Sequence, residues 1–375
     1  MKEVKEILDR VSMFGIDERG VLATVVDLRG SGYRRPGARM LIMPDGETVG
    51  MVSGGCLESD VMERAKKVLL SGRAEVFTYD TTRDENSVFS LNMGCRGVIR
   101  ILLEAIGRDS SLLQHLQAVR EQRQHRSMAT LISHDAGNDT ELGGRLFLTA
   151  DLAVTNDRLP RFLQDAPELR NELSRFHQTG SLYAIQEIRT DERSFEFAFE
   201  SPKPPVQVLL FGAGADAVPF AKIASQLGWT TKVFDHRPAF LTKERFVDAD
   251  QLVLLNREEP IEPPAADAAT AAVIMTHNYE QDVRIFAGLL NSDVACIAAL
   301  GPKRRTEQIL DELRANGNNF TEEQMAKVYA PAGLDIGAET PEAIALSIAA
   351  EIQSVLRERG GGHLRDRNGP IYDRK

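Results

Sequence analysis

The sequence predicts an α/β protein: an N-terminal α+β domain, then a C-terminal domain built on a Rossmann-like, doubly wound parallel sheet. Three observations carry that expectation. The stretch VQVLLFGAGADAVPFAKIASQLGWTTKVFDHR (206–237) passes from an apolar strand through a glycine turn and an amphipathic helix into a second strand. Beyond it the chain alternates strand and helix patterns, the habit of a parallel sheet. Before it, SPKPP (201–205) is a proline-rich break. The expected domains are 1–200 and 206–356, with 201–205 as the linker and 357–375 as an unstructured, glycine-rich and charged tail.

Composition narrows the class of function. A chain of 375 residues is long enough for two domains with ample cores. Its net charge of −10 argues against a general nucleic-acid surface or an anionic membrane as partner. No apolar run approaches the roughly 20 residues of a membrane span. The opening MKEVKEILDRVSMF is an amphipathic helix without a signal-peptide core. Three cysteines at irregular spacing point to a reducing compartment and no disulfide framework. A cytoplasmic protein is expected.

The elements follow in order. VLATVVD (21–27) predicts a buried strand that ends in the loop RGSGYRRPGA. Strands at 39–43 and 47–52 form a hairpin across Pro44-Asp45-Gly46. The second arm runs into Ser53-Gly54-Gly55-Cys56, and a helix follows to about Leu70 with Leu57, Val61, Ala65 and Val68 on one face. A strand at 74–79, the polar loop TTRDENSVFSLNMGCRG and a strand at 98–105 complete this part. Residues 127–151 then echo 21–45 at an offset of 106: Ala23-Thr24 matches Ala129-Thr130, Gly37 matches Gly143, Arg39 matches Arg145 and Asp45 matches Asp151. These five identities fit a degenerate repeat or a coincidence equally well, and the echo has no SGGC. A helix over 160–176 and strands at 182–188 and 195–199 are expected next. After the opening stretch, strands fall at 251–255, 271–275 and 294–300. Thr340 caps a last helix that has proline at its first position and Ile344, Ile348 and Ile352 on one face.

Candidate chemistry sits at a few turns. Gly212, Gly214 and Ala217 fit the G-x-G-x-x-A phosphate-binding turn, and Asp235 stands where a Rossmann half reads a ribose 2′-hydroxyl, which disfavours a 2′-phosphate. Cys56 lies at a strand-to-helix turn behind Ser53, Gly54 and Gly55, where a helix N-terminus favours a thiolate. A small buried cysteine is the plainer alternative. Cys95, in NMGCRG, sits beside Arg96 on a glycine-flanked loop; it is a second poised thiol or an idle loop residue. Cys296, in VACIAAL, reads as core. Ser31, Arg34 and Arg35 offer a hydroxyl and two guanidiniums to a phosphate, or form a solvated basic turn. His277 follows a strand at its carboxyl end, with Asp282 downstream, and could act on a ligand or cap a helix. Lys303, Arg304 and Arg305 open a helix, where cations imply a nearby anion or simple solvation. No Ser-His-Asp order, H-E-x-x-H, P-loop lysine or hydride-transfer set can be assembled.

Several motifs together resemble one family. GSGYRRPGARM, VSGGCLES, MGCRG, FGAGADA, VIMTHNYEQD, LGPKRR and PAGLDIGAETPEAIALSIAAEI, in this order, are similar to the XdhC/CoxI family of accessory proteins for molybdenum hydroxylases. The resemblance covers nearly the whole chain apart from about 106–200 and the tail. It implies an XdhC/CoxI-type N-terminal domain and a molybdenum-cofactor chaperone rather than a stand-alone catalyst. Such a protein would hold the molybdopterin cofactor for sulfuration by a cysteine desulfurase and pass it to the apo-hydroxylase, for example a xanthine dehydrogenase. Cys56 and Cys95 would then touch the cofactor, its molybdenum included, or carry sulfur. Two departures stand out. Arg96 replaces a glycine common in the family, and Ala215 stands where a histidine is common. An NAD-dependent oxidoreductase using Gly212, Gly214 and Asp235 is the alternative, and a pure docking scaffold a weaker third; a homodimer is left open.

Overall fold

The computed structural model describes residues 2–80, 97–135, 140–190, 192–256, 259, 265–368 and 371; Cys95 and Arg96 lie outside them. The chain divides into two compact units, Met1–Pro204 and Pro205–Lys375.

The first unit runs α1 (Lys2–Ser12), β1 (Gly20–Gly30), β2 (Arg39–Ile42), β3 (Thr48–Gly50), α2 (Glu58–Ser71), β4 (Glu75–Asp80) and β5 (Gly97–Ile106). It continues with α3 (Ser111–Gln122), β6 (Ser127–His134), β7 (Arg145–Leu148), β8 (Val154–Asp157), α4 (Arg161–Gln164), α5 (Pro167–Thr179), β9 (Tyr183–Thr190) and β10 (Arg193–Glu200). The strands form two antiparallel sheets, β3-β2-β1-β5-β4 and β8-β7-β6-β10-β9. The two orders are the same, and so are the registers. Thr24 faces Arg39 across β1 and β2, and Thr130 faces Arg145 across β6 and β7. Each sheet carries one bulge, at Val25/Asp27 on β1 and opposite Glu196/Phe197 on β6. The residues these bulges leave unpaired, Val26 and Ile132, share a small buried cluster with Leu102 and Ala198.

Local chemistry sets the helices. Gly72, at φ 69°, closes α2 in the left-handed conformation. Where one helix is expected over 160–176, two form. Pro167 has no N–H to continue α4 and holds Ala166 extended, so α5 restarts with proline at its head. Helix α3 is absent from the sequence expectations above. Ser110 caps it by accepting from the Leu113 N–H, and Leu112, Leu113, Leu116 and Val119 bury its inner face.

The second unit runs β11 (Gln207–Phe211), α6 (Ala217–Gln226), β12 (Thr230–Asp235), β13 (Gln251–Leu254), β14 (Thr270–Ile274), α7 (Tyr279–Leu290), β15 (Cys296–Ala299), α8 (Lys303–Ala315), α9 (Glu322–Ala326), β16 (Val328–Tyr329) and α10 (Pro341–Leu356). Its parallel sheet has the order β13-β12-β11-β14-β15-β16. The direction of winding reverses between β11 and β14, the topological switch point of a doubly wound fold. Alternate residues of β11 feed two cores. Val208 and Leu210 pack with Phe220 of α6 and Ile348 of α10, while Leu209 and Phe211 pack with Ile285 of α7 and Ile309 of α8. Cys296 is buried in the first of these, and burial beside Glu351 pushes its thiol up to about 12. It is a core residue. No described helix is long and apolar enough to cross a membrane.

Candidate functional site

The Ser53–Cys56 turn is built by one carboxylate. Glu58 accepts from the Ser53 N–H at 2.8 Å and from its hydroxyl. The Ser53 hydroxyl oxygen in turn accepts from Gly55 N at 3.2 Å and Leu57 N at 3.1 Å. Burial alone would raise the Glu58 carboxyl pKa, but the Ser53 hydroxyl and the N–H groups around it hold it below the ordinary value. This clasp leaves Gly54, Gly55 and Cys56 exposed. Gly55 is at φ +104°, and a Cβ there would meet no described atom within 4 Å beyond its chain neighbours. A Cβ on Gly54 would lie 3.5 Å from the Tyr33 ring, so the arginine loop covers one side of the turn. Cys56 is exposed, on a turn whose Gly54 lies against the 64% exposed Tyr33. At the head of α2, Leu57 N is taken by Ser53 and Glu58.

The loop before it is only partly free. Arg34 is half-buried against Glu3 of α1, with which it forms an ion pair. Ser31 places its carbonyl where a side chain at Gly97 would collide with it, so the loop is packed on the start of β5. Arg35 lies on the same loop, and its carbonyl accepts from Ala38 N. Tyr33 thus lies against Gly54 of the Cys56 turn, while Arg34 points its charge at α1.

In the second unit the glycine turn serves the chain's own packing. A side chain at Gly212, at φ +110°, would strike the Met275 carbonyl at 2.3 Å; at Gly214 it would strike Asp216 at 2.7 Å. Ala217, fully buried, opens α6. Asp235 is 3% exposed and fully engaged. Its carboxylate accepts from Ala213 N at 2.7 Å, from Arg237 N at 2.8 Å, and from the Arg237 guanidinium at 2.9 and 2.7 Å. Burial works to raise its pKa, and these donors, led by the Arg237 side chain, bring it below the ordinary value. The acceptor expected to read a ribose therefore already holds the turn in place.

Across the switch point, His277 adopts φ +54°, uncommon for a residue with a side chain. That backbone sets its Nε2 at 2.8 Å from Asp216 at the head of α6. Arg305 pairs with buried Asp282 at 2.8 Å, and Asp282 also accepts from Thr276. For Arg305, one of the cations of α8, an anion at hand is the protein's own Asp282. Lys303, 77% exposed at the side chain, lies 4.0 Å from Glu307. Among the described residues no group of three or more histidines, cysteines or carboxylates could hold a metal ion. Sequence reasoning did not single out Ser53–Glu58 as a clasp or Asp216 as a partner of His277; the S-x-x-x-x-E spacing is the one signal for the former.

Residues 17–80 match the XdhC and CoxI family, and residues 208–352 match the XdhC Rossmann domain. A Bacillus subtilis protein named as a probable xanthine dehydrogenase subunit is 32% identical over 343 residues, which cover 89% of this chain and 92% of that one. This chain belongs to the XdhC and CoxI family. Another relative, the Escherichia coli molybdenum cofactor insertion chaperone PaoD, is 23% identical over 335 residues, covering 89% and 83% of the two chains. A Bacillus halodurans crystal structure described as a xanthine dehydrogenase superposes with a TM-score of 0.72 at 29% identity, over 96% of this chain and 97% of that one. The Cys56 turn lies inside the XdhC and CoxI match, and the glycine turn, His277 and Arg305 lie inside the XdhC Rossmann match.

Proposed function

We propose that this protein is a maturation factor for a molybdenum hydroxylase of the xanthine dehydrogenase type. It holds the molybdopterin cofactor, keeps it available for sulfuration by a cysteine desulfurase, and delivers it to the apo-enzyme. The observation that carries this reading is the Cys56 turn: an exposed cysteine on a glycine edge, fixed from behind by Ser53 and Glu58 and, among the described residues, uncovered in front. A thiol suits a soft metal or a sulfur-bearing ligand. The exposed Tyr33 ring, against Gly54 of the same turn, offers a flat apolar surface of the kind a pterin can lie on. Gly54 and Gly55 allow close approach because nothing larger stands there. Cys95, outside the described residues, is the second thiol proposed for the same work. The relatives named for xanthine dehydrogenase and for cofactor insertion support the reading.

The alternative, an NAD-dependent oxidoreductase, is weakened by the engagement of Asp235 with Ala213 and Arg237, which leaves no free acceptor for a ribose diol. The test is maturation. In a host lacking this protein, a partner hydroxylase made with the Cys56→Ser variant should retain little of the activity restored by wild type. Hydroxylase activity equal to wild type with both Cys56→Ser and Cys95→Ser would contradict the proposal.

A further inference from the structure

What stands at the tip of β12 in place of a ribose reader is a pair of guanidiniums. Arg237, held by Asp235, lies over one aromatic ring, that of Phe240, at 4.2 Å from its centroid. Arg245 lies over the same ring at 4.9 Å. Arg245 also approaches the carbonyl of Gly214 at 3.5 Å, which brings its charge to the edge of the glycine turn. Arg237 keeps 34% of its side chain exposed and Phe240 37% of its residue surface. Asp235 balances one of the two positive charges, and Asp216, on the turn itself, is paired with His277. Among the described residues no ion pair takes up the second guanidinium charge, that of Arg245, beside the site where a Rossmann turn receives a nucleotide.

We propose that the second unit binds a nucleotide whose ribose carries its own phosphate, read by Arg237 and Arg245. An acidic residue at the end of the second strand selects a ribose 2′-hydroxyl, whereas an arginine nearby accommodates a 2′-phosphate. Here the acid is spent on Ala213 N and Arg237, and the arginine it orients takes over the position. Guanidiniums are suited to that task because they offer several N–H donors in one plane and stack on a ring without losing them. Arg237 gives Nε and one Nη to Asp235, and its remaining donors are those the ligand phosphate would take. This site is independent of cofactor handling at Cys56 and of any turnover.

The test compares two isomers, 2′,5′-ADP and 5′-ADP, by calorimetric titration of the full chain. The expected result is binding of 2′,5′-ADP about tenfold tighter or more, the scale of one charge-assisted contact. Arg245→Met, which leaves the Asp235–Arg237 pair intact, should remove most of that preference, and Arg237→Lys should reduce it. Pterin content and hydroxylase maturation should stay at wild-type level in both variants. Equal affinity for the two isomers, no binding of 2′,5′-ADP at millimolar concentration, or an unchanged preference in Arg245→Met would each overturn the proposal.

Discussion

Arg39 and Arg145 make the same contacts in opposite directions. Each donates Nη1 at 2.8 Å to the carbonyl of the glycine two residues before it, Gly37 or Gly143. Each sends Nη2 to a glutamate of the other sheet: Arg39 to Glu200 on β10, Arg145 to Glu104 on β5. In both, Nε is buried without a partner. Contacts exchanged reciprocally are the mark of an isologous interface, here made inside one unit of one chain.

Glu104 is the place to break this clasp. It is fully buried and is held by both Arg145 and Arg158. Burial pushes its carboxyl pKa up, and the two guanidiniums together bring it below the ordinary value. Glu104→Leu alone strands buried Arg145 and should cost about 3–5 kcal/mol, read from urea unfolding. Glu104→Leu with Arg145→Met removes both charges and should recover a large part of that loss. Equal destabilisation by the single and double variants would refute the pairing.

Acid should act on the same unit through His115. The ring is buried against Phe147, its Nε2 has no partner, and burial with the nearby charges of Arg126, Arg39 and Arg145 lowers its pKa from 6.5 to about 3. Between those values the unfolded chain binds a proton that the folded chain refuses. The contribution of His115 is therefore complete above pH 6.5 and is lost as pH falls toward 3. Its slope reaches about 1.4 kcal/mol per pH unit. His115→Leu should flatten the stability curve from pH 7 to 5, and a slope that survives the substitution would assign the effect elsewhere.

Thiol reactivity should separate two cysteines. Iodoacetamide under native conditions should modify Cys56, which is exposed, and spare Cys296, whose thiol is buried and raised to about 12. Mass mapping of labelled peptides gives the answer. Rapid native labelling of Cys296 would contradict its burial on β15 in the core shared with α10.

Asp235→Asn tests the turn. The substitution removes the charge that holds Arg237 and leaves one oxygen for four donor contacts, so a loss of about 2–3 kcal/mol is expected. The depressed pKa carries a sign as well. Stability from Asp235 is present above its ordinary value of 3.8 and is lost as pH falls through the lower folded value. In Asp235→Asn that acid-dependent component should vanish, and a wild-type acid profile would refute the assignment.

The second unit was legible because its signals are local. FGAGADA follows an apolar strand and opens a helix, and strand spacing alone fixes the parallel alternation. What the glycines are for was not legible. Gly212 answers to Met275, more than sixty positions away, and Asp235 to Ala213 and Arg237, contacts that exist only once the sheet forms. The first unit hid more. The identities at an offset of 106 include Thr24/Thr130 and Arg39/Arg145, which face each other in the two ladders, yet the glutamates that answer the arginines lie elsewhere in the sequence. Helix α3 has little charge contrast along its inner face, and Pro167 divides a periodicity that otherwise reads as one helix.

Pterin retention tests the central claim most directly. The full chain, purified from a host that makes the molybdenum cofactor, should release a fluorescent oxidised pterin near one per chain after acid and iodine treatment. Cys56→Ser should lose most of it while keeping the wild-type unfolding midpoint. A wild-type protein that never carries or binds pterin, or a Cys56→Ser protein that carries it fully, would contradict the account.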